Sequence, residues 1–140
     1  LRDWGHAKDY VEMQWLMLQQ KKPDDYVIST GKQESVRNFI NLTANYLGWG
    51  NIKWEGTGVN EVGIRTDTNE IIIRVDKRYF RPSEVEQLKG DSGKALKNLG
   101  WEPKTNLEDL ISEMIKFDKK EALKDSLLKQ KGFQINENKE

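Results

Sequence analysis

The sequence predicts a mixed α/β fold with about four helices and three short strands. Apolar residues recur at helical spacing in several segments, while short β-branched or alternating runs lie between turn residues. The chain has 140 residues, which is the length of one domain. Short, scattered strands make a poor independent sheet, so we expect a unit that is incomplete without a larger sheet.

A first helix is predicted from about Ala7 to Leu18, because apolar residues recur there at helical spacing. Leu16 and Met17 widen its apolar face, so the helix is expected to be buried on most sides. The face consists of Ala7, Tyr10, Val11, Trp15 and Leu18. The apolar run 26–28 follows a Pro-containing turn and predicts a short strand.

Ser35 is a good N-cap for a second helix, and Gly48 stands where that helix would end. The alternating run 52–56 predicts a strand, and so does the β-branched run 70–76. The stretch 56–69 between them holds three glycines and many polar residues, so it predicts a loop.

Two further helices are predicted in the second half of the chain. A short one is expected between a cap at Asp91 or Ser92 and Gly100. The spacing Thr105-x-x-Glu108 predicts a capping box at the start of the last helix. That helix carries an apolar face from Leu107 to Ile115, and a charge-dense continuation follows it.

The composition excludes several classes of function. The chain has 23 Lys and Arg against 23 Asp and Glu, which argues against broad binding to nucleic acid or to an anionic membrane. It has no Cys, so disulfides, thiolate catalysis and Cys-ligated zinc are excluded. One His argues against a His-based metal site, and no apolar stretch is long enough to span a bilayer.

Arg81 and Glu84 are the first candidates for binding chemistry. Pro82 holds Arg81 in an extended backbone after two aromatic residues, and such an Arg suits bidentate contact with a phosphate. Glu84 could accept two hydrogen bonds from a ribose diol. A local i, i+3 pair between the two side chains is an equally good interpretation of the residues alone. Like Arg81, Arg2 lies at a junction between an extended stretch and the segment that follows it.

Other patterns favour structural roles. The pair Gly56-x-Gly58 lacks the third Gly of a dinucleotide fingerprint, so a turn is favoured over a phosphate cradle. His6 precedes an apolar helix with no nucleophile beside it in sequence, so a structural hydrogen-bonding role is favoured over general acid–base chemistry. The five Trp are scattered, which favours core or interface packing over base stacking.

Four stretches together resemble the GDP-mannose 4,6-dehydratase family of extended short-chain dehydrogenase/reductases that act on nucleotide sugars. They are Arg2-Asp3-Trp4-Gly5-His6-Ala7-Lys8-Asp9-Tyr10, Tyr79-Phe80-Arg81-Pro82-Ser83-Glu84-Val85, Gly90-Asp91-Ser92-Gly93-Lys94-Ala95 and Leu99-Gly100-Trp101-Glu102-Pro103-Lys104. The resemblance implies that residues 1–132 are the C-terminal substrate-binding portion, followed by a frayed tail at 133–140. It also implies that the N-terminal Rossmann portion is missing, in keeping with a first residue that is not Met.

The resemblance implies a lyase reaction for the whole enzyme. NADP oxidises the sugar at C4, water leaves across C5 and C6, and the hydride returns to C6, giving GDP-4-keto-6-deoxymannose for GDP-fucose biosynthesis. Arg2 and Arg81 would contact the diphosphate and Glu84 the ribose, which favours the phosphate interpretation of Arg81 over the local pair. No Tyr is followed four residues later by Lys, so no catalytic or cofactor-binding residue is assigned to this chain.

The expected partners are GDP-mannose, the missing Rossmann portion and further copies of the enzyme in a dimer or tetramer. NADP is expected in the full-length enzyme and not on this chain, which alone should be inactive. A cytoplasmic location is expected, with no nucleic acid, membrane or metal. Two alternatives stay open: a fragment of a related nucleotide-sugar epimerase or reductase, and a non-catalytic interaction module.

Overall fold

The computed structural model describes residues 1–81 and 89–133. The mixed α/β prediction is confirmed, with four α-helices, one 3₁₀ helix and three strands among these residues. In chain order they are α1 (Ala7–Leu18), α2 (Val36–Leu47), β1 (Ile52–Glu55), the 3₁₀ helix (Gly58–Asn60), β2 (Val62–Arg65), β3 (Ile71–Arg74), α3 (Gly93–Leu99) and α4 (Leu107–Gln130). Within the described ranges no helix is long and apolar enough to cross a membrane.

The strands form one antiparallel sheet in the order β1-β2-β3. The predicted loop 56–69 is wrong, because it contains the 3₁₀ helix and β2. Gly63 suggested a loop, but it lies within β2, where the neighbouring strands leave little space for a side chain. A Cβ at Gly63 would lie 3.0 Å from Ile73 and 3.1 Å from Trp54 on the neighbouring strands.

The predicted strand 26–28 is also wrong, since these residues form no strand. Tyr26 and Ile28 instead pack against a core cluster made of Met13, Ala95 and Trp101. Side-chain packing therefore holds this segment in place without a ladder of backbone hydrogen bonds.

The predicted apolar face of α1 is buried only in part. Tyr10, Leu16 and Met17 pack against the cluster of Met13, Ala95 and Trp101, as the prediction requires. Val11, Trp15 and Leu18 are instead 61%, 59% and 82% exposed, so the expectation that α1 is buried on most sides is wrong. The fully buried residue is Met13, which the prediction did not place on the face.

The helix ends follow local chemistry where the capping residue has no competing partner. The Ser35 side chain accepts a hydrogen bond from the Asn38 N–H, and Gly48 ends α2 in the left-handed region at φ +75°, so both predictions are confirmed. At α3, Ser92 makes no side-chain cap, and the Asp91 carboxylate accepts from the Gly93 N–H at 2.8 Å.

The capping box predicted at 105–108 is wrong. Asn106 caps α4 by accepting from the Asp109 N–H at 2.8 Å. The Thr105 N–H is already bonded to the Asp9 carboxylate, so Thr105 belongs to the loop before the helix. The charge-dense continuation is helical, and α4 extends to Gln130.

Replacement of the α2 cap should destabilise the chain. We expect Ser35→Ala to lower the free energy of unfolding by about 1 kcal/mol, because the Asn38 N–H loses its acceptor. The measurement is urea unfolding followed by circular dichroism. Ser126→Ala, on the exposed surface of α4, is the matched control and should not lower it. Equal losses in the two variants would contradict the role of the cap.

Candidate functional site

The segment that carries Arg2 is fixed to the chain before α2. Arg2 and Glu34 form an antiparallel bridge, in which each backbone N–H donates to the other residue's carbonyl at 2.9 Å. Trp4 strengthens the attachment, since its indole N–H donates to the Glu34 carbonyl at 3.3 Å and its ring lies 4.6 Å from that of Phe39. The backbone position of Arg2 is therefore well defined.

The Asp3 carboxylate organises the turn at Thr30 and Gly31. It accepts from the Thr30 hydroxyl at 2.6 Å, from the Thr30 N–H at 3.0 Å and from the Gly31 N–H at 2.9 Å. Gly31 has φ +70°, a conformation that suits glycine. Three donors on one carboxylate hold the turn directly beside Arg2.

Asp9 is a buried carboxylate, only 4% exposed. It accepts from the Lys104 N–H at 3.0 Å and from the Thr105 N–H at 2.9 Å. Burial acts to raise the pKa of Asp9, but the hydrogen bonds from Thr105 and Lys104 and the nearby His6 outweigh it, so the pKa is lowered. The carboxylate is thus held ionised and joins α1 to the start of α4.

His6 has the structural role that the sequence favours. Its Nδ1 accepts from the Lys8 N–H at 3.0 Å and caps α1. Its Nε2 lies 3.4 Å from a carboxylate oxygen of Glu113 on α4. Both ring nitrogens therefore face partners that stabilise the fold.

Two recesses flank the Thr30–Gly31 turn. One has a volume of about 310 Å³, and its walls include Trp4, Thr30, Lys32 and Thr105. The other has about 340 Å³ and is lined by Gly31 and the segment 89–92. The turn that Asp3 holds thus separates a space beside Trp4 from a space beside Lys89.

Ser29 and Gly90 make a close contact at the second recess. A Cβ on Gly90 would lie 2.5 Å from the Ser29 Cβ and 3.2 Å from a methyl group of Val27. Ser29 is 4% exposed, and its hydroxyl has no hydrogen-bond partner among the described residues. Only a residue without a side chain lets the segment 89–92 approach the turn so closely.

The sequence-predicted site residues fall at different places. Arg2 lies in the bridge with Glu34, and Arg81 is an exposed residue seven positions after β3 ends. Glu84 lies outside the described residues, so its predicted contact with a ribose stays a prediction. The geometry of residues 1–81 and 89–133 does not establish a common anion site for the two guanidinium groups. It does bring the Arg2 segment and the segment after Glu84 to the same turn.

The segment before Arg81 is ordered by its own charges. The Arg78 guanidinium binds the Asp76 carboxylate at 2.7 Å and lies 5.3 Å from the centre of the Tyr79 ring. The Tyr79 N–H donates to the Asp76 carbonyl at 3.1 Å, which closes a turn. Arg81 therefore follows a turn that is internally fixed.

The described residues offer neither a metal centre nor a dinucleotide cradle. No group of three or more His, Asp or Glu side chains in ranges 1–81 and 89–133 could hold a metal ion. Gly56, at φ +80°, packs against the backbone carbonyl of Asn60, and Gly58 opens a short 3₁₀ helix. A phosphate cradle needs an α-helix N-terminus after the glycines, so a turn is the correct interpretation.

Comparison with known proteins identifies the family. Residues 1–114 match the family model described as GDP-mannose 4,6 dehydratase. The chain belongs to the GDP-mannose 4,6-dehydratase family. The match includes the Arg2 segment, the Thr30–Gly31 turn and Arg81, so the geometry described above lies within the part typical of the dehydratases.

Individual relatives extend the match to almost the whole chain. The GDP-mannose 4,6-dehydratase of Yersinia enterocolitica is 46% identical over 97% of this chain and 39% of its own length. GDP-mannose 4,6 dehydratase 2 of Caenorhabditis elegans is 52% identical over 84% of this chain and 30% of its own length. The human GDP-mannose 4,6 dehydratase is 47% identical over 84% of this chain. The chain spans 30% to 39% of the length of the first two relatives.

Sequence reasoning assigned no role to the two carboxylates that organise the candidate site. Asp3 accepts from donors 27 and 28 positions away, and Asp9 from donors 95 and 96 positions away. The available signal for Asp9 was its position four residues before Met13, which places both on one side of α1. Asp3 stands in the Arg2–Tyr10 stretch that carries the family resemblance, but no local pattern indicates the distant donors that it binds.

The Asp9 carboxylate should make stability depend on pH. Because its pKa is lowered in the folded state, its contribution is present above about pH 4 and is lost as the pH falls through the folded value. Asp9→Asn should lower the free energy of unfolding at pH 7 by about 1–3 kcal/mol. It should also flatten the loss of stability as the pH falls below about 4.

The matched control is Asp118→Asn, which alters an exposed residue of α4. Urea unfolding over the pH range measures both effects. A stability profile of Asp9→Asn that runs parallel to that of the unsubstituted chain would contradict the role of Asp9.

The contact between Ser29 and Gly90 predicts a second pair of variants. Gly90→Ala should lower the free energy of unfolding by about 1–3 kcal/mol, because the new methyl group overlaps Ser29. Adding Ser29→Gly removes the overlapping atoms and should restore part of the loss. Thermal unfolding of the single and double variants measures the effect. The effect of Ser29→Gly is also measured in the unsubstituted chain. If Ser29→Gly lowers the free energy of unfolding as much in Gly90→Ala as in the unsubstituted chain, the steric explanation is contradicted.

Proposed function

We propose that this chain binds the GDP moiety of GDP-mannose in a GDP-mannose 4,6-dehydratase. In the whole protein the reaction is the loss of water that converts GDP-mannose into GDP-4-keto-6-deoxymannose. One observation carries the assignment: the Asp3-held turn at Thr30–Gly31 borders both the Arg2 segment and the segment 89–92 that follows Glu84. The family match and this shared turn support a single nucleotide-sugar site.

In the proposed site Arg2 and Arg81 bind the diphosphate. Charge-assisted, partly bidentate hydrogen bonds from two guanidinium groups contribute about 1.5–3 kcal/mol each. Glu84 accepts hydrogen bonds from the ribose diol. These contacts do not change bonds in the sugar. They orient the hexose, and orientation is itself a large part of the rate enhancement in reactions between two bound groups.

The charge distribution supports binding by placed cations. The formal net charge is zero, so no general positive field draws the anionic substrate to the chain. Lys32 and Lys89 line the two recesses on either side of the Thr30–Gly31 turn. A diphosphate bound near the turn would meet Lys32 or Lys89, and it would have to avoid Glu34 and Asp91, which line the same recesses.

The NADP of the proposed reaction binds outside this chain. Gly56 and Gly58 form a turn and the start of a 3₁₀ helix, so this pair does not fit a dinucleotide, and no step of the reaction is assigned to it. The chain alone is therefore proposed to be inactive. Assembly into a dimer or tetramer and a cytoplasmic location are further parts of the proposal.

The test replaces Arg81 in the full dehydratase that contains this chain. Arg81→Ala should raise KM for GDP-mannose about 10- to 100-fold, because one phosphate contact is lost. NADP content should stay unchanged. The KM of Arg81→Lys should lie between that of the unsubstituted enzyme and that of Arg81→Ala, because Lys keeps the charge but not the bidentate geometry.

Arg74→Ala is the matched control. Arg74 is an exposed Arg at the end of β3 that the proposed site does not include, so KM should change little. An unchanged KM in Arg81→Ala, or an equal rise in both variants, would remove Arg81 from the site.

A further inference from the structure

The half-buried Asp3 carboxylate uses both of its oxygens on one turn. Its Oδ1 accepts from the Thr30 hydroxyl at 2.6 Å and from the Thr30 N–H at 3.0 Å, and its Oδ2 accepts from the Gly31 N–H at 2.9 Å. Hydrogen bonds to an ionised acceptor are about twice as strong as those between neutral groups. Asp3 is therefore a strong attachment between two segments that lie 27 and 28 positions apart.

Arg2 directly precedes this carboxylate, and its own backbone is paired as well. The Arg2 N–H donates to the Glu34 carbonyl, and the Glu34 N–H donates to the Arg2 carbonyl, each at 2.9 Å. This bridge is an isolated one, and a single pair of backbone bonds is weak without further support. The Asp3 bonds fix the next residue, so together the two attachments set both the position and the direction of the chain at Arg2.

Two aromatic side chains enclose the same segment. Trp4 donates its indole N–H to the Glu34 carbonyl at 3.3 Å, and its ring packs on Phe39. On the other side, a Cβ on Gly5 would overlap the hydroxyl of Tyr10, which occupies that space. The backbone of residues 2–5 is thus held from several directions, and Asp3 supplies the only carboxylate within it.

The bonds at the turn suit a carboxylate of this length. An Asn side chain offers one oxygen and one NH₂ group, so at residue 3 the NH₂ would face a donor of Thr30 or Gly31. A Glu side chain keeps both acceptors but places them one methylene further from the backbone. Substitutions at residue 3 therefore change the attachment in graded steps without touching Arg2.

We propose that Asp3 is a positioning residue for the diphosphate of the substrate and that it acts through Arg2. The carboxylate does not touch the substrate in this role. It holds the Arg2 backbone beside the turn, so that the guanidinium extends from a fixed point. The inference rests on the proposed function, because it takes Arg2 as a contact of the diphosphate. It adds a residue to the three that the proposed site already contains.

A purely structural role for Asp3 is the alternative. In that case Asp3→Asn lowers the free energy of unfolding but leaves recognition of the phosphates unchanged. GDP and guanosine separate the two roles, since guanosine has the base and the ribose of GDP but no phosphate. A loss of affinity for GDP with unchanged affinity for guanosine is specific to the diphosphate contacts.

The test uses the full dehydratase that contains this chain, with Arg2→Ala, Asp3→Asn and the double variant. Titration calorimetry measures Kd for GDP and for guanosine. Arg2→Ala should raise Kd for GDP about 10- to 100-fold, because one charge-assisted contact is lost. Asp3→Asn should raise it about 5- to 20-fold, since the guanidinium is displaced but still present. Kd for guanosine should stay unchanged in both variants.

The double variant shows whether Asp3 acts through Arg2. It should bind GDP about as weakly as Arg2→Ala alone, because no guanidinium is left to be positioned. Losses that add in full would overturn the proposal, and so would an unchanged Kd for GDP in Asp3→Asn. An equal loss of affinity for guanosine would also overturn it. Asp3→Glu, which keeps the charge, should recover part of the affinity that Asp3→Asn loses.

Asn41→Ala is the matched structural control. The Asn41 side chain accepts from the Trp54 indole N–H at 3.2 Å and joins α2 to β1 through a bond that does not involve residues 2–5. It should lower the thermal stability of the enzyme and leave Kd for GDP unchanged. A rise in Kd for GDP equal to that of Asp3→Asn would contradict a specific role for Asp3.

Thr30→Val is the second variant if Asp3→Asn does not fold. It removes only the hydroxyl donor and leaves the two backbone donors of the turn. It should raise Kd for GDP about 2- to 5-fold, with guanosine unaffected. An unchanged Kd for GDP in Thr30→Val would then overturn the proposal.

The same measurements distinguish a failure of this inference from a failure of the proposed function. A normal affinity for GDP in Arg2→Ala would remove Arg2 from the diphosphate site and so contradict that part of the proposed function. A weakened Arg2→Ala together with a normal Asp3→Asn would keep the site assignment and contradict only the positioning role of Asp3.

Discussion

The buried carboxylate of Asp9 connects segments that lie far apart in the sequence. It lies on α1 and accepts backbone hydrogen bonds from Lys104 and Thr105, immediately before α4. Its own backbone carbonyl accepts from the indole N–H of Trp101 at 3.0 Å, in the centre of the core cluster. A buried charge is stable only when its hydrogen bonds are satisfied, so α1, Trp101 and the start of α4 are held in one arrangement.

The Asp3 carboxylate likewise fixes a distant backbone segment, in this case at the candidate site. It accepts three hydrogen bonds from Thr30 and Gly31 and so fixes the turn that borders both recesses. The close approach of Gly90 to Ser29 then brings in the chain that follows Glu84. In the proposed site these contacts would arrange the backbone that carries the substrate-binding cations. The zero net charge of the chain is consistent with such local placement.

The sequence was informative wherever structure is decided locally. The bounds of α1 and the caps of α2 follow from spacing and capping chemistry, and the structure agrees with both. Tertiary contacts decided the rest: Gly63 pairs with both neighbouring strands in β2, and the Thr105 N–H is bonded to Asp9 before α4 begins. The candidate residues Arg2, Arg81 and Glu84 came largely from the family resemblance. The partners of the Asp3 and Asp9 carboxylates are distant backbone groups, which no local pattern encodes.

Two attachments fix the chain on either side of Arg2, which is the first residue of the proposed site. The backbone bridge to Glu34 holds Arg2 itself, and the Asp3 carboxylate holds the next residue to the Thr30–Gly31 turn. The His6 cap then joins the same segment to α1, which begins five residues after Arg2. In the proposed site the backbone of Arg2 would therefore keep one position beside the turn, and only its side chain would have to orient toward a diphosphate.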